Sequence, residues 1–143
     1  MTDPTDIAAL ATDLRGLVGR LKRRLREQGN IGDLTPSQIA TVQRLERDGS
    51  ATVSSLARAE GMRPQSMGAT ITALESAGLV AGAPDPDDGR QTLISLTPLC
   101  IAKLAEGRAA RQDWLTHQIE RLSPEDQAYL ARAADILRRV AES

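Results

Sequence analysis

Reactive side chains are scarce in this chain. It has one histidine, His117, and one cysteine, Cys100, in 143 residues. Two such ligands are too few for a zinc or copper site, and a single cysteine rules out an internal disulfide. The densest group of carboxylates is in Asp85-Pro86-Asp87-Asp88-Gly89-Arg90. Three neighbouring carboxylates raise acid–base chemistry or a cation site. Either needs a concave, partly desolvated pocket, whereas Pro and Gly among the acids mark a projecting turn. No catalytic residue, metal site or cofactor is therefore expected. A lone Arg on a narrow Gly/Pro-shaped loop has a different use: it can enter the minor groove of a DNA duplex, where A·T tracts deepen the negative potential. Asp88 can orient the Arg90 guanidinium through a charge-assisted hydrogen bond. Taken alone, the loop also reads as ordinary turn chemistry.

The second group lies on a helical pattern from Pro64 to Ala77. Met67, Ile71 and Leu74 form its apolar face. The opposite face carries Gln65, Ala69, Thr72 and Ser76, flanked by Ser66, Gly68 and Ala73. Short uncharged side chains let a helix backbone approach base edges in the major groove. Gln65 can pair bidentately with adenine, and Ser66, Thr70 and Thr72 can reach phosphates or thymine methyls. The helix N-terminus itself favours a phosphate. A weakly charged surface helix is the competing reading.

The elements that must hold these residues are legible from periodicity and caps. A first helix is expected from Asp6 to Gln28, with Ile7, Leu10, Leu14, Leu17, Val18, Leu21 and Leu25 on one stripe. Arg15, Arg20, Lys22, Arg23, Arg24 and Arg26 occupy the rest of its circumference. They read first as a solvated face, with phosphate contacts as the alternative. Thr35-Pro36-Ser37-Gln38 reads as a capping box opening a second helix, with Ile39, Val42 and Leu45 inward and Asp48-Gly49 as its stop. A short third helix is expected from Ser54 to Glu60, capped by Thr52 or Ser54, with Leu56 and Ala57 inward. Gly61 makes the turn into the Pro64 helix, which Gly78 ends. Leu79-Val80 and Leu93–Leu96 are strand candidates, and Gly82, Pro84, Pro86 and Gly89 between them suit a hairpin loop. Thr97-Pro98 opens a fifth helix reaching about Leu122. Ser123-Pro124-Glu125-Asp126 opens a sixth, to about Ala141, with Leu130, Ala133, Ile136, Leu137 and Val140 on its stripe.

Bulk properties narrow the class. The chain has 41% hydrophobic residues but only 1% aromatic. Leu, Ile, Val, Ala and Met must then build the core, which favours packed helices, and single-strand or RNA readers that need stacking platforms become poor candidates. A net charge of −1 argues against strong non-specific nucleic-acid binding but leaves room for a local basic face. No signal peptide, no membrane span and a cytoplasmic location are expected.

Asp88-Gly89-Arg90, five residues, then Leu96-Thr97 resembles the signature of the MarR family of winged-helix regulators: Asp, any residue, Arg, five residues, Leu, Thr. Ser55-Leu56-Ala57 and Leu74-Glu75-Ser76-Ala77-Gly78-Leu79-Val80 are similar to that family's recognition-helix region. The helix order with its wing extends the resemblance over nearly the whole chain. It implies a mainly α fold with a small β-hairpin wing, as one domain over 1–143. A winged helix-turn-helix lobe would span 31–97, with dimerisation helices at 6–30 and 98–143. It implies a homodimer on a pseudo-palindromic operator in double-stranded DNA, usually as a repressor, in many relatives released by a small phenolic ligand. By motif position, Arg90 is the minor-groove residue, Asp88 its orienter and Arg63 to Ala73 the major-groove reader. Two departures stand out. Many members carry Arg where this chain has Ala69 beside Thr70, so affinity is expected to lean on Arg58, Arg63, Gln65 and the wing. The redox-sensing branch has a cysteine in its first helix; here Cys100 follows the wing and reads as a core thiol.

The dimer seam is expected to use Ile7, Leu10, Leu14, Leu17 and Leu21 with Leu130, Ile136, Leu137 and Val140. Trp114 and His117 read as packing or seam residues before they read as a ligand pocket. The alternatives are a helical protein-interaction module, a DNA-binding protein without an effector and, weakened by the shortage of Cys and His, a metal-sensing repressor.

Overall fold

The computed structural model describes residues 6–143. They form two compact units, one being Asn30–Gly107 and the other the residues up to Gly29 together with Arg108–Ser143.

In the first of these, α2 (Pro36–Asp48) begins with the full capping box. The Gln38 N–H donates to Thr35 Oγ1 at 3.2 Å, and the Thr35 N–H donates to Gln38 Oε1 at 2.9 Å. Thr52, not Ser54, caps α3 (Val53–Ala59) by accepting from the Ser55 N–H at 3.1 Å, so the helix starts one residue earlier than its Ser-rich sequence suggests. Gly61 turns the chain with φ +63° into α4 (Pro64–Ser76). Gly78, at φ +76°, follows the C-cap Ala77. The Leu79 N–H returns to the Leu74 carbonyl and the Gly78 N–H to the Glu75 carbonyl, both at 2.9 Å. This Schellman closure needs the left-handed conformation that glycine adopts without a Cβ penalty.

The wing is longer than its composition implied. β1 (Val80–Pro84) pairs antiparallel with β2 (Thr92–Leu96), so Gly82 and Pro84 lie in strand rather than loop. The Asp85 N–H donates to the Gln91 carbonyl at 2.9 Å. Antiparallel pairs alternate between bonded and non-bonded, so Pro84, opposite Thr92, falls where no N–H is needed. Gly82 is crowded: a Cβ there would meet Thr92 Cγ2 at 2.9 Å. A further bridge joins Ala51 to Ile94 through two backbone bonds of 3.1 and 2.7 Å, tying the α2–α3 connection to the wing.

The core sits among these elements. Val42, Leu45, Leu56, Ala57, Met67, Ile71, Leu74, Leu79, Val80, Ile94 and Cys100 are buried together. Large members of such a set each contribute about 1.5–3 kcal/mol. On α2, Thr41 is fully buried while Ile39 is only partly so. The Thr41 hydroxyl donates to the Ser37 carbonyl at 2.8 Å and lies 3.7 Å from Met67 Sδ, which satisfies it in an apolar setting. Arg44 fastens α2 to α3: its Nε donates to Glu60 Oε1 at 2.7 Å, and its Nη2 reaches the Ala59 carbonyl at 3.4 Å. The bond to Glu60 holds the Arg44 guanidinium above its ordinary value.

The other unit contains α1 (Ile7–Gln28), the later turns of α5 (Pro98–Glu120) and α6 (Pro124–Ala141). Asp6 caps α1 and Ser123 caps α6. Arg111 Nη1 donates to the Gly29 carbonyl at 2.8 Å, and Arg24 lies over the Trp114 ring at 5.4 Å. Gln127 Nε2 donates to the Ile119 and Leu122 carbonyls at 3.1 Å each, closing the α5–α6 corner. Neither α1 nor α6 has a buried residue. Leu10, Leu17, Val18 and Leu21 on α1 are exposed, as are Leu130, Ile136, Leu137 and Val140 on α6. Ile7 is 81% exposed and Leu14 is half-buried. Among the described residues no helix is long and apolar enough to cross a membrane.

Candidate nucleic-acid interface

The Asn30–Gly107 unit carries both groups of candidate residues. α4 buries Met67, Ile71 and Leu74 and turns Gln65, Ala69, Thr72 and Ser76 outward. Spacings of four, three and four keep those four residues on one line along the helix. Ser66 and Ala73 are also exposed, and Thr70 is half-buried on the flank. The threonine hydroxyls have internal duties: Thr70 Oγ1 donates to the Ser66 carbonyl at 3.1 Å and Thr72 Oγ1 to the Gly68 carbonyl at 2.9 Å.

The start of α4 differs from that of its neighbours. Arg63 is the N-cap and makes no side-chain capping bond, and the first turn has no acid. Helices α1, α2, α3 and α6 each have a side-chain cap. α4 therefore presents N–H groups and the positive end of its dipole without a carboxylate in front. Arg63, at this N-cap, and Arg58, on α3, are both exposed.

At the wing tip the Arg90 side chain is 92% exposed. Asp88 Oδ1 accepts from the Arg90 backbone N–H at 3.1 Å and from Arg90 Nε at 3.3 Å. The Gln91 N–H donates to the Asp88 carbonyl at 3.0 Å, which closes the turn. Asp85 Oδ1 accepts from the Asp87 N–H at 2.9 Å. The Asp85 and Asp88 carboxylates thus shape the loop. Among the described residues no group of three or more His, Cys, Asp or Glu is placed to hold a metal.

Thr97 ties α4, the wing and α5 together. Its hydroxyl donates to the Gly78 carbonyl at 2.6 Å and accepts from the Cys100 N–H at 3.2 Å, while its own N–H donates to the Leu79 carbonyl at 3.0 Å. One residue joins the end of α4, the base of the wing and the start of α5. Sequence reasoning saw only the cap. The bond to Gly78 spans nineteen residues, and no local pattern announces it. The same holds for the Arg44–Glu60 pair that fixes α3. Cys100 is fully buried, and burial pushes its thiol up. On α5, Trp114 is half-buried, and His117 is exposed with Nδ1 3.8 Å from Glu120.

Comparison with known proteins agrees with this arrangement. The MarR family profile matches residues 34–92, from just before α2 to the first residue of β2. An uncharacterised HTH-type transcriptional regulator of Mycobacterium bovis is 36% identical over 130 residues, covering 91% of each chain. A Pseudomonas aeruginosa PA01 protein of known structure, described as a transcriptional regulator, is 34% identical with TM-score 0.76, covering 98% of this chain and 99% of that one. A variant of S. aureus MepR solved bound to an oligodeoxyribonucleotide shares the fold at 19% identity and TM-score 0.73, covering 92% and 97%. With its helix-turn-helix, its two-stranded wing and these relatives, the chain belongs to the MarR family of winged-helix transcriptional regulators.

Proposed function

We propose that this protein binds a pseudo-palindromic operator in double-stranded DNA as a homodimer and acts as a repressor. The observation that carries the reading is the pairing, within one compact unit, of an outward, acid-free α4 N-terminus with an outward, oriented Arg90. α4 lies in the major groove, with Gln65, Ala69 and Thr72 toward base edges and Thr70 at the flank. Ser66, the first-turn N–H groups, Arg63 and Arg58 take phosphates. Arg90, positioned by Asp88, enters the adjoining minor groove.

The homodimer is supported by the uncovered stripes. A chain leaving Leu10, Leu17 and Leu21 exposed on one helix, and Leu130, Ile136, Leu137 and Val140 on another, has apolar area that a second copy can bury. Release by a small phenolic ligand has a candidate seat. An open surface hollow of about 330 Å³ is lined by Leu25, Leu115, Arg108, Arg111 and Gln112. Leucine side chains together with guanidinium groups suit a phenolate.

Selection of bound sequences from a random duplex pool tests the whole reading. A palindrome with half-sites about 10 base pairs apart is the expected product. Recovery of no duplex would favour the alternative, a protein-interaction module.

A further inference from the structure

The outward face of α4 has a hydrogen-bonding character that its residue names do not disclose. A free threonine hydroxyl can donate or accept. Here the Thr72 hydroxyl donates its proton to the Gly68 carbonyl, so toward a ligand it can only accept, and its methyl group accompanies it on an exposed residue. Ala69, on the same line, adds a second methyl. The single carboxamide on that line belongs to Gln65, one turn nearer the helix start. No Lys or Arg occurs between Pro64 and Ser76, and Arg63 sits outside at the N-cap. The middle of the reading face thus offers methyl groups and a hydroxyl acceptor, and it lacks strong donors.

Base pairs differ in what they present to such a surface. In the major groove guanine shows two acceptors, N7 and O6, and needs donors opposite them. An A·T pair shows the adenine N6–H₂ donor and the thymine C5-methyl. A hydroxyl that can only accept suits the first, as it would the cytosine N4–H₂ of a G·C pair, so the choice of A·T falls to the second, which suits the methyls of Ala69 and Thr72. Gln65 is the residue type that pairs bidentately with adenine N6 and N7. A G·C pair opposite Ala69 would offer no C5-methyl to meet it.

We propose that the segment Gln65–Ala69–Thr72 of α4 selects A·T pairs at the centre of each operator half-site and senses the thymine 5-methyl group by direct contact. This rests on the major-groove placement of α4 proposed above.

The test uses the intact protein and a duplex recovered by selection from a random pool. Each thymine of a half-site is replaced in turn by deoxyuridine, which pairs identically and lacks only the methyl. At the thymine facing α4, affinity falls about four-fold per methyl lost, the equivalent of one buried methyl-sized group. Thr72→Ser removes the methyl and keeps the hydroxyl, so the loss at that position shrinks toward none. Thr72→Val keeps a methyl and retains it. The residue is exposed and on the helix surface, so both variants fold, which circular dichroism verifies. Recovery of no duplex overturns the major-groove placement itself. A recovered operator that binds equally with uracil at every position, or that has G·C at the centre of its half-sites, leaves that placement standing and overturns the methyl readout.

Discussion

Asp88 and Arg90 are joined twice through one oxygen: Oδ1 of Asp88 accepts from both the backbone N–H and the side-chain Nε of Arg90. The first bond shapes the turn, and the second aims a guanidinium that is otherwise open to solvent. An exposed ion pair of this kind adds little to stability. Its effect is on the number of directions in which Arg90 points before it meets a ligand.

Replacing Arg90 by Ala is expected to weaken operator binding about ten-fold, within the range of one specific contact. The loss is largest on A·T-rich flanks. Asp88→Ala separates two effects. Removing a negative charge raises affinity for random duplex, while losing the aim of Arg90 flattens the preference for A·T flanks. Competition titrations against flank variants measure both. Equal flank preference in all three proteins would remove the wing from recognition.

Thr97→Val retains shape and deletes the hydroxyl. The Cys100 N–H then loses its cap and the Gly78 carbonyl loses its donor. The expected cost is about 2 kcal/mol, the sum of a typical cap and a typical hydrogen bond. Urea unfolding shows it as a lower midpoint with an unchanged slope. A midpoint equal to that of the unaltered protein would mean that solvent replaces both bonds.

The double variant Leu14→Asp, Leu21→Asp places carboxylates in the α1 stripe. Sedimentation is expected to find single chains, and operator affinity to fall by at least about 100-fold, or about 2.7 kcal/mol. A folded single chain that still binds the operator with full strength would break the link between pairing and recognition.

Cys100 supplies a pH dependence. Burial, the largest cause, raises its thiol, Glu46 adds to this and Lys103 opposes it. The folded protein therefore keeps the proton to higher pH than the unfolded chain. The contribution is fully present below the ordinary thiol value, about 8.5, and is lost as pH rises through the folded value. Melting temperature should fall more steeply above about pH 9 in the unaltered protein than in Cys100→Ala, whose overall stability is lower because of the cavity. A thiol reagent should label the native protein slowly at neutral pH and the urea-unfolded chain at once. Parallel melting curves for the two proteins would refute the assignment.

What could be read from the sequence was what neighbours in the chain decide. Thr35 and Gln38 announce α2, Gly61 and Gly78 bracket α4, and Met67, Ile71 and Leu74 declare its inner face because helical periodicity is local. β1 was legible only at Val80. Gly82 and Pro84 look like loop residues, and their place in a strand is decided by partners in β2. The Ala51–Ile94 bridge, the Arg44–Glu60 pair and the bond from Thr97 to Gly78 all join distant positions. The candidate site divides the same way. Gln65, Ala69 and Thr72 could be assigned to one face from spacing, but the direction of the Thr72 hydroxyl could not. It depends on a rotamer, and the rotamer decides whether that hydroxyl can donate a hydrogen bond outward or only accept one.

Three carboxylates share the wing tip with one guanidinium, on a chain whose formal net charge is −1. Such a tip gains little from an arbitrary stretch of phosphates, since its aspartates oppose what Arg90 attracts. Residence on unrelated chromosome sequence would be brief, and the molecule would search by repeated hops through solution more than by long slides. Discrimination then comes partly from speed of rejection: wrong addresses are left quickly, before their weak attractions can compete with the right one.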